Sequence, residues 1–204
     1  PNLHEAQVAL GKAYLSREMW PFAEQAFSNA LGLDPTRSLA TLRALAQARR
    51  KQGNAEGALE ALHEMIQRNP DDLTVRGVRG ELLAATGRAP QALDDYLYIL
   101  DRHPDHAVTL GFAVLILAEN DRLDEALARS EAALAKSPQV DELWMIRLNI
   151  SGRLQEDAKE MLDRWHAANP ASAACMEMIA NYHLAGGEIA QAEAWADRAL
   201  AIAP

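Results

Sequence analysis

The densest cluster of reactive side chains is His103-Pro104-Asp105-His106, two imidazoles and a carboxylate within four residues. Both group types ligate zinc, but a structural zinc site is closed by four protein groups, and the neighbouring sequence places no further histidine or cysteine nearby. Asp105 follows a proline and is placed to cap a helix, so the cluster reads as a helix boundary. His4, His63, His166 and His183 are scattered singly. Cys175 is the single cysteine, which excludes an internal disulfide and a multi-cysteine metal site. The chain contains no G-x-S-x-G, no P-loop, no H-E-x-x-H and no Gly-rich dinucleotide fingerprint. The expectation is a non-catalytic protein with no metal and no cofactor.

The composition of the 204 residues is 49% hydrophobic and 24% charged with only 5% aromatic, which suits close-packed helices better than a β-sandwich. A net charge of −9 argues against nucleic acid as a partner, because phosphate binding needs a concentrated basic surface. The longest apolar run, Ala113 to Ala118, ends at Glu119 and is far short of the roughly 18 residues that span a bilayer. No insertion into a membrane is therefore expected within this segment. The chain opens on Pro rather than Met and without a signal peptide, so it is expected to be a piece of a longer protein.

A repeat organises these residues. Prolines at 35, 70, 104, 138, 170 and 204 are spaced by 35, 34, 34, 32 and 34 residues. Twelve residues before each stands an alanine: Ala23, Ala58, Ala92, Ala126, Ala158 and Ala192. A small side chain at a fixed offset is what two closely crossing helices require. Each unit reads as helix A, a turn, helix B and a proline-marked exit. In the first, helix A covers Leu3 to Arg17 and helix B Pro21 to Leu31. Gly53, Gly87 and Gly187 suit the A–B turn, with Glu18 and Asp121 in place of glycine. Asp71, Asp105 and Ser172 are the expected N-caps of the following helices. The fifth unit is two residues short, with its turn at Ser151-Gly152-Arg153. Its helix A is expected over Asp141 to Ile150, clipped or with a tightened turn, and its start kept in register by Trp144. A local change of superhelical pitch is expected there.

Leu10-Gly11, Tyr14, Ala23, Phe27, Ala30 and Pro35 stand in the order and spacing of the tetratricopeptide repeat, a unit of about 34 residues that the chain resembles over essentially its whole length. The resemblance implies an all-α fold, a right-handed α-solenoid superhelix of six stacked helix-turn-helix repeats near 4–37, 39–72, 73–106, 107–140, 141–172 and 173–204. It also implies one continuous solenoid with helix A on the concave side, small residues at Gly11, Ala46, Gly80 and Ala180, and helix-B packing by Phe27, Leu62, Tyr96 and Leu162. Arg49, Arg79 and Arg147 replace apolar or aromatic positions of the pattern. Their stems are expected over the core with their heads reaching outward or meeting a helix-B carboxylate, Asp94, Asp95 and Glu60 being candidates; the other reading places them on a binding surface.

In this family a fixed set of helix-A positions points into the groove. Carried onto this chain they are Glu5, Val8 and Lys12 in the first unit and Ala40, Arg43, Gln47, Arg50 and Lys51 in the second. The third unit gives Thr74, Gly77, Glu81, Ala84 and Ala85. The fourth gives Val108, Gly111, Leu115 and Ala118, with Phe112 beside them. Glu142, Met145 and Asn149 follow in the fifth, and Ala174, Glu177, Asn181 and Leu184 in the sixth. The order is a basic wall, an apolar floor opened by Gly77 and Gly111, and a mildly acidic end. One subfamily clamps C-terminal carboxylates with Lys, Asn and Arg; here Val8, Lys12, Ala44, Thr74 and Val78 stand at those places, so that clamp is not expected.

The function these features imply is a scaffold that binds a partner protein, peptide or helix in the helix-A groove. The rival readings are the accessory part of a larger enzyme, such as a glycosyl- or sulfotransferase, and a homo-oligomer built through uncapped ends. The last helix, Ile189 to Ala201, carries Trp195 and Leu200 on its flanks and has no solvating helix after it. The Ala, Leu and Arg bias resembles bacterial chains, which implies a bacterial cytoplasm or periplasm and an envelope or export assembly.

Overall fold

A computed structural model describes residues 2–34 and 36–202, and its described residues form twelve helices and no strand. Pro35 and Pro204, two of the six marker prolines, lie outside the described residues. The chain divides into two compact units, one up to Tyr96 and one from Leu97 onward, with the boundary inside α6. The first unit holds α1 (Leu3–Ser16), α2 (Trp20–Leu33), α3 (Leu39–Lys51), α4 (Ala55–Arg68), α5 (Leu73–Ala85) and most of α6 (Ala89–Leu100). The second holds α7 (Ala107–Glu119), α8 (Leu123–Lys136), α9 (Asp141–Leu154), α10 (Ala158–Ala168), α11 (Ala173–Ala185) and α12 (Ile189–Ile202). In the first unit α1 packs on α2, α2 on α3, α3 on α4 and α4 on α5; in the second α7 packs on α8 and α9, and α11 on α12. The fold is all-α, built of stacked helix-turn-helix repeats.

The expected packing contacts form. Ala23, Ala58, Ala92 and Ala126 are fully buried, and Ala192 is nearly so. At Gly11 an added Cβ would lie 2.6 Å from the ring of Phe27, and at Gly80 it would lie 2.6 Å from the ring of Tyr96. The missing side chain on helix A is therefore the space that the helix-B ring occupies. Around Phe27, Leu42, Leu45, Leu62 and Met65 the first unit builds one apolar cluster. In the second, Leu110, Leu117, Leu143, Ile150 and Trp165 are buried to 1% exposure or less.

All the A–B turns use a left-handed residue. Gly53, Gly87 and Gly187 have φ of 84°, 77° and 77°, while Glu18 and Asp121 adopt 58° and 57° without being glycine. The fifth unit corrects the sequence reading. Its helix A is not clipped at Ile150: α9 runs through Ser151-Gly152-Arg153 to Leu154, and the left-handed residue is Gln155, at φ 57°. The shortage falls on helix B. The left-handed residue stands five places before the marker alanine in the other units and only three before Ala158, which itself opens α10. The register at the start of α9 holds as expected, with Trp144 buried and its indole N–H donating to the Pro138 carbonyl at 2.7 Å.

Two expected caps shift by one residue. Asp72, not Asp71, accepts from the Val75 N–H at 3.1 Å, and His106, not Asp105, accepts from the Thr109 N–H at 3.3 Å. The second residue after the proline is the one with its side chain over the first turn, as at Ser172, whose hydroxyl accepts from the Cys175 N–H at 2.9 Å. Asp105 instead accepts from Lys136 Nζ at 2.8 Å and from the Ser137 hydroxyl at 2.7 Å, which hold its carboxyl down at about 2.

The three out-of-pattern arginines meet carboxylates. Arg79 forks onto Asp95 with both contacts at 2.7 Å, and Arg76 reaches the same fully buried carboxylate at 3.1 Å. Arg49 pairs with Glu24 at 2.7 Å and with Glu60 at 3.6 Å, and donates to the Gly57 carbonyl. Arg147, 5% exposed, pairs with Glu131 at 2.7 Å and Glu156 at 2.8 Å. A buried guanidinium is tolerated because its donors are matched in geometry as well as charge.

The left-handed turns yield a paired test. Gln155→Gly should raise the free energy of unfolding by about 0.5–1 kcal/mol, and Gly87→Ala should lower it by about 1 kcal/mol. Urea unfolding followed by circular dichroism reads these as opposite shifts of the midpoint.

Candidate functional site

The exposed work surface of the second unit begins with an anomaly in α7. Its sequence, AVTLGFAVLILAE, is apolar on every side, a pattern that belongs to a fully buried helix. Only one face is buried, carried by Leu110, Ala113, Val114 and Leu117. On the other face Val108, Leu115 and Phe112 are 64%, 48% and 40% exposed. Across from them α9 presents Met145, 44% exposed, with Ile146 half-buried beside it. Between the two helices lies a cleft of about 480 Å³, lined by these residues together with Gly111, Glu142 and Asn149. A Cβ at Gly111 would meet nothing nearer than Ile146 Cδ1 at 3.9 Å, so this glycine enlarges the cleft rather than admitting a packed neighbour.

The α9 wall is held from behind. The carboxylate of Asp141, at the first residue of α9, accepts from Trp165 Nε1 at 2.8 Å, Asn169 Nδ2 at 3.0 Å and the Ser172 hydroxyl at 2.7 Å, which ties α9 to α10 and to the start of α11. Arg147, on the face of α9 away from Met145, is clamped by Glu131 of α8 and by Glu156 in the turn before α10. Hydrogen bonds from Arg164 and Arg147 hold Glu131 below the usual glutamate range, and Arg147 and Ser151 do the same for Glu156.

The first unit carries smaller and more polar clefts. Between α1 and α3 about 350 Å³ is lined by Glu5, Val8 and Lys12 from one side and Ala40 and Ala44 from the other. Between α3 and α5 about 160 Å³ is lined by Arg43, Gln47 and Arg50 against Thr74 and Val78. Arg43 is spoken for in part by Asp72 at 2.9 Å. Gly77 and Glu81 also lie on α5 but stand outside the lining of that cleft. Of the predicted groove residues, Val108, Gly111, Phe112, Leu115, Met145 and Asn149 come together in one place, whereas Lys12, Arg43, Gln47, Arg50 and Thr74 are divided between two. Ile146, Ala107 and Val114 line the large cleft without having been singled out in the sequence. Ile146 had a legible signal, since it stands one helical turn after Glu142 on the same face.

The residues that could do chemistry are otherwise engaged. Burial pushes the Cys175 thiol up to about 12, which removes it as a nucleophile at neutral pH. His106 and Asp105 close a helix boundary as described, and among the described residues no group of three or more His, Cys, Asp or Glu side chains could hold a metal ion.

The model of the tetratricopeptide repeat family matches residues 43–107, which run from α3 to the start of α7. That segment carries the tetratricopeptide repeat. The solved structures that the chain resembles cover the remainder. The C-terminal part of a tetratricopeptide-repeat protein from Cytophaga hutchinsonii is 15% identical with a TM-score of 0.71, covering 95% of this chain and 81% of that one. A tetratricopeptide repeat protein from Parabacteroides merdae is 16% identical with a TM-score of 0.55, covering 100% of this chain and 94% of that one. Pseudomonas aeruginosa pilF is 17% identical with a TM-score of 0.58, covering 95% and 88%. At these identities the likeness is one of fold. No curated protein matches the chain.

The clamp behind α9 has a pH signature. Glu131 and Glu156 titrate below the usual 4.5 when folded, so the stability they contribute is present above that value and is lost as the pH falls through their lower folded values. Arg147→Met should therefore narrow the gap between the urea midpoints measured at pH 7 and at about pH 3.5. A gap as wide as that of the wild type would contradict the assignment.

Proposed function

We propose that the protein is a non-catalytic scaffold that binds another protein through its helix-A faces, polar and partly basic in the first unit and apolar in the second. The observation that carries this reading is the exposed side of α7, where Val108, Phe112 and Leu115 face a cleft of about 480 Å³ shared with Met145. Apolar side chains gathered at this exposure around a concavity mark an interaction surface, because water contact there costs free energy that a partner can recover. Catalysis has no comparable support: the thiol is buried, and in the His103–His106 cluster His106 caps a helix and Asp105 is held in an ion pair. A bacterial setting is part of the reading and is supported by the bacterial sources of the similar structures.

Site-specific photo-cross-linking in a host that makes the full-length protein tests the surface. A photoreactive residue at Leu115 or Met145 should trap a discrete partner, and the same residue at Ala128 or Glu160, on helices B, should not. Adding Gly111→Arg should abolish the cross-link at Met145. Equal trapping from both sets of positions would place binding elsewhere and contradict the reading.

A further inference from the structure

Resting on the α7–α9 cleft as a partner surface, we infer that its occupant is an amphipathic helical segment whose apolar side chains are flanked by lysine or arginine. The apolar part follows from the walls. Val108 and Leu115 are two turns apart on one helix, a rise of about 10 Å, so a helical partner lies along them with side chains at i, i+3 or i+4, and i+7. The basic part follows from the charges. α7 and α11 contain no lysine or arginine, and Arg147 of α9 is buried against Glu131 and Glu156. Arg153, in the last turn of α9, is the remaining arginine on these three helices. Against it stand the exposed carboxylates Glu119, Glu142 and Glu177. Glu142 lies within the cleft lining and has no ion pair among the described residues.

That last point decides the chemistry of the occupant. A purely apolar partner laid over the cleft strips water from Glu142 and offers its carboxylate nothing in return, which is costly. A lysine or arginine at the edge of the partner's apolar stripe answers that charge, and low-dielectric walls strengthen the attraction relative to open solvent. The first unit has the opposite sign on its central helix: α3 carries Arg43, Arg49, Arg50 and Lys51 and no acidic residue. The preference therefore belongs to this cleft and is not a property of helix-A faces in general.

Two synthetic peptides of about 18 residues serve as probes, one of Leu and Lys and one of Leu and Gln, with the same apolar face. Fluorescence anisotropy with the whole chain should show tighter binding of the Leu/Lys peptide. Glu142→Lys should weaken that binding about fivefold more than Glu193→Lys, a charge reversal of equal size on α12. Gly111→Arg should remove binding of both peptides while the helical circular dichroism spectrum is kept, since the added side chain enters open space. If Glu142→Lys and Glu193→Lys weaken binding equally, the attraction is the net charge of the chain and the basic partner is overturned, with the cleft itself intact. If Gly111→Arg leaves both affinities unchanged, the cleft reading fails along with it.

Discussion

The closeness of helix A to helix B is the constraint on which the rest of the structure depends. Gly11 and Gly80 leave out a side chain, and the rings of Phe27 and Tyr96 fill the space to within 2.6 Å of where a Cβ would stand. Helix B returns the concession with an alanine, fully buried at 23, 58, 92 and 126. With the helices this close, each pair buries one stripe of each helix and leaves the opposite stripe to the next pair. The left-handed residue that joins them fixes the turn, so it recurs even where glycine is absent, at Glu18, Asp121 and Gln155.

Much of what varies between repeats then lies in places outside the packed stripes. The outer stripe of helix A is one, and there α7 keeps Val108, Phe112 and Leu115 where a polar face serves a merely solvated helix. The turn into helix B is another. The fifth repeat loses two residues there, leaving Ala158 half-buried at the start of α10. Arg147 and Asp141 both stand on α9 before that gap, one clasped by Glu131 and Glu156, the other receiving Trp165, Asn169 and Ser172. Ionic and hydrogen-bonded contacts thus hold the α9 wall where the shortened helix B supplies less apolar packing.

The periodic part of this was legible in the sequence. Proline and alanine spacing marks the helix pairs and their turns, because each is a local requirement repeated along the chain, and the family resemblance implies the small and the large packing residues, though not which ring meets which glycine. The fifth repeat was misread for a physical reason. Ser151-Gly152-Arg153 looks like a turn, but helical residues before it keep their hydrogen bonds if the deletion is absorbed after Gln155 instead. The caps at Asp72 and His106 were misplaced by one because adjacent polar residues give no sign of which one overhangs the helix. The groove was legible as a set of helix-A positions; that the apolar ones gather between α7 and α9 while the basic ones are divided between two other clefts depends on how neighbouring helices lean together. Asp95 is among the carboxylates expected to meet an out-of-pattern arginine such as Arg79, but nothing in the sequence singles out Arg76 as its second partner.

The central claim is that the α7–α9 cleft is where this scaffold meets its partner. Methyl-selective NMR of the protein with and without its cross-linked partner tests it most directly. The methyl signals of Val108, Leu115, Met145 and Ile146 should shift, while those of Leu127 and Ile189 on helices B stay in place. Shifts confined to Leu127 and Ile189 would contradict it.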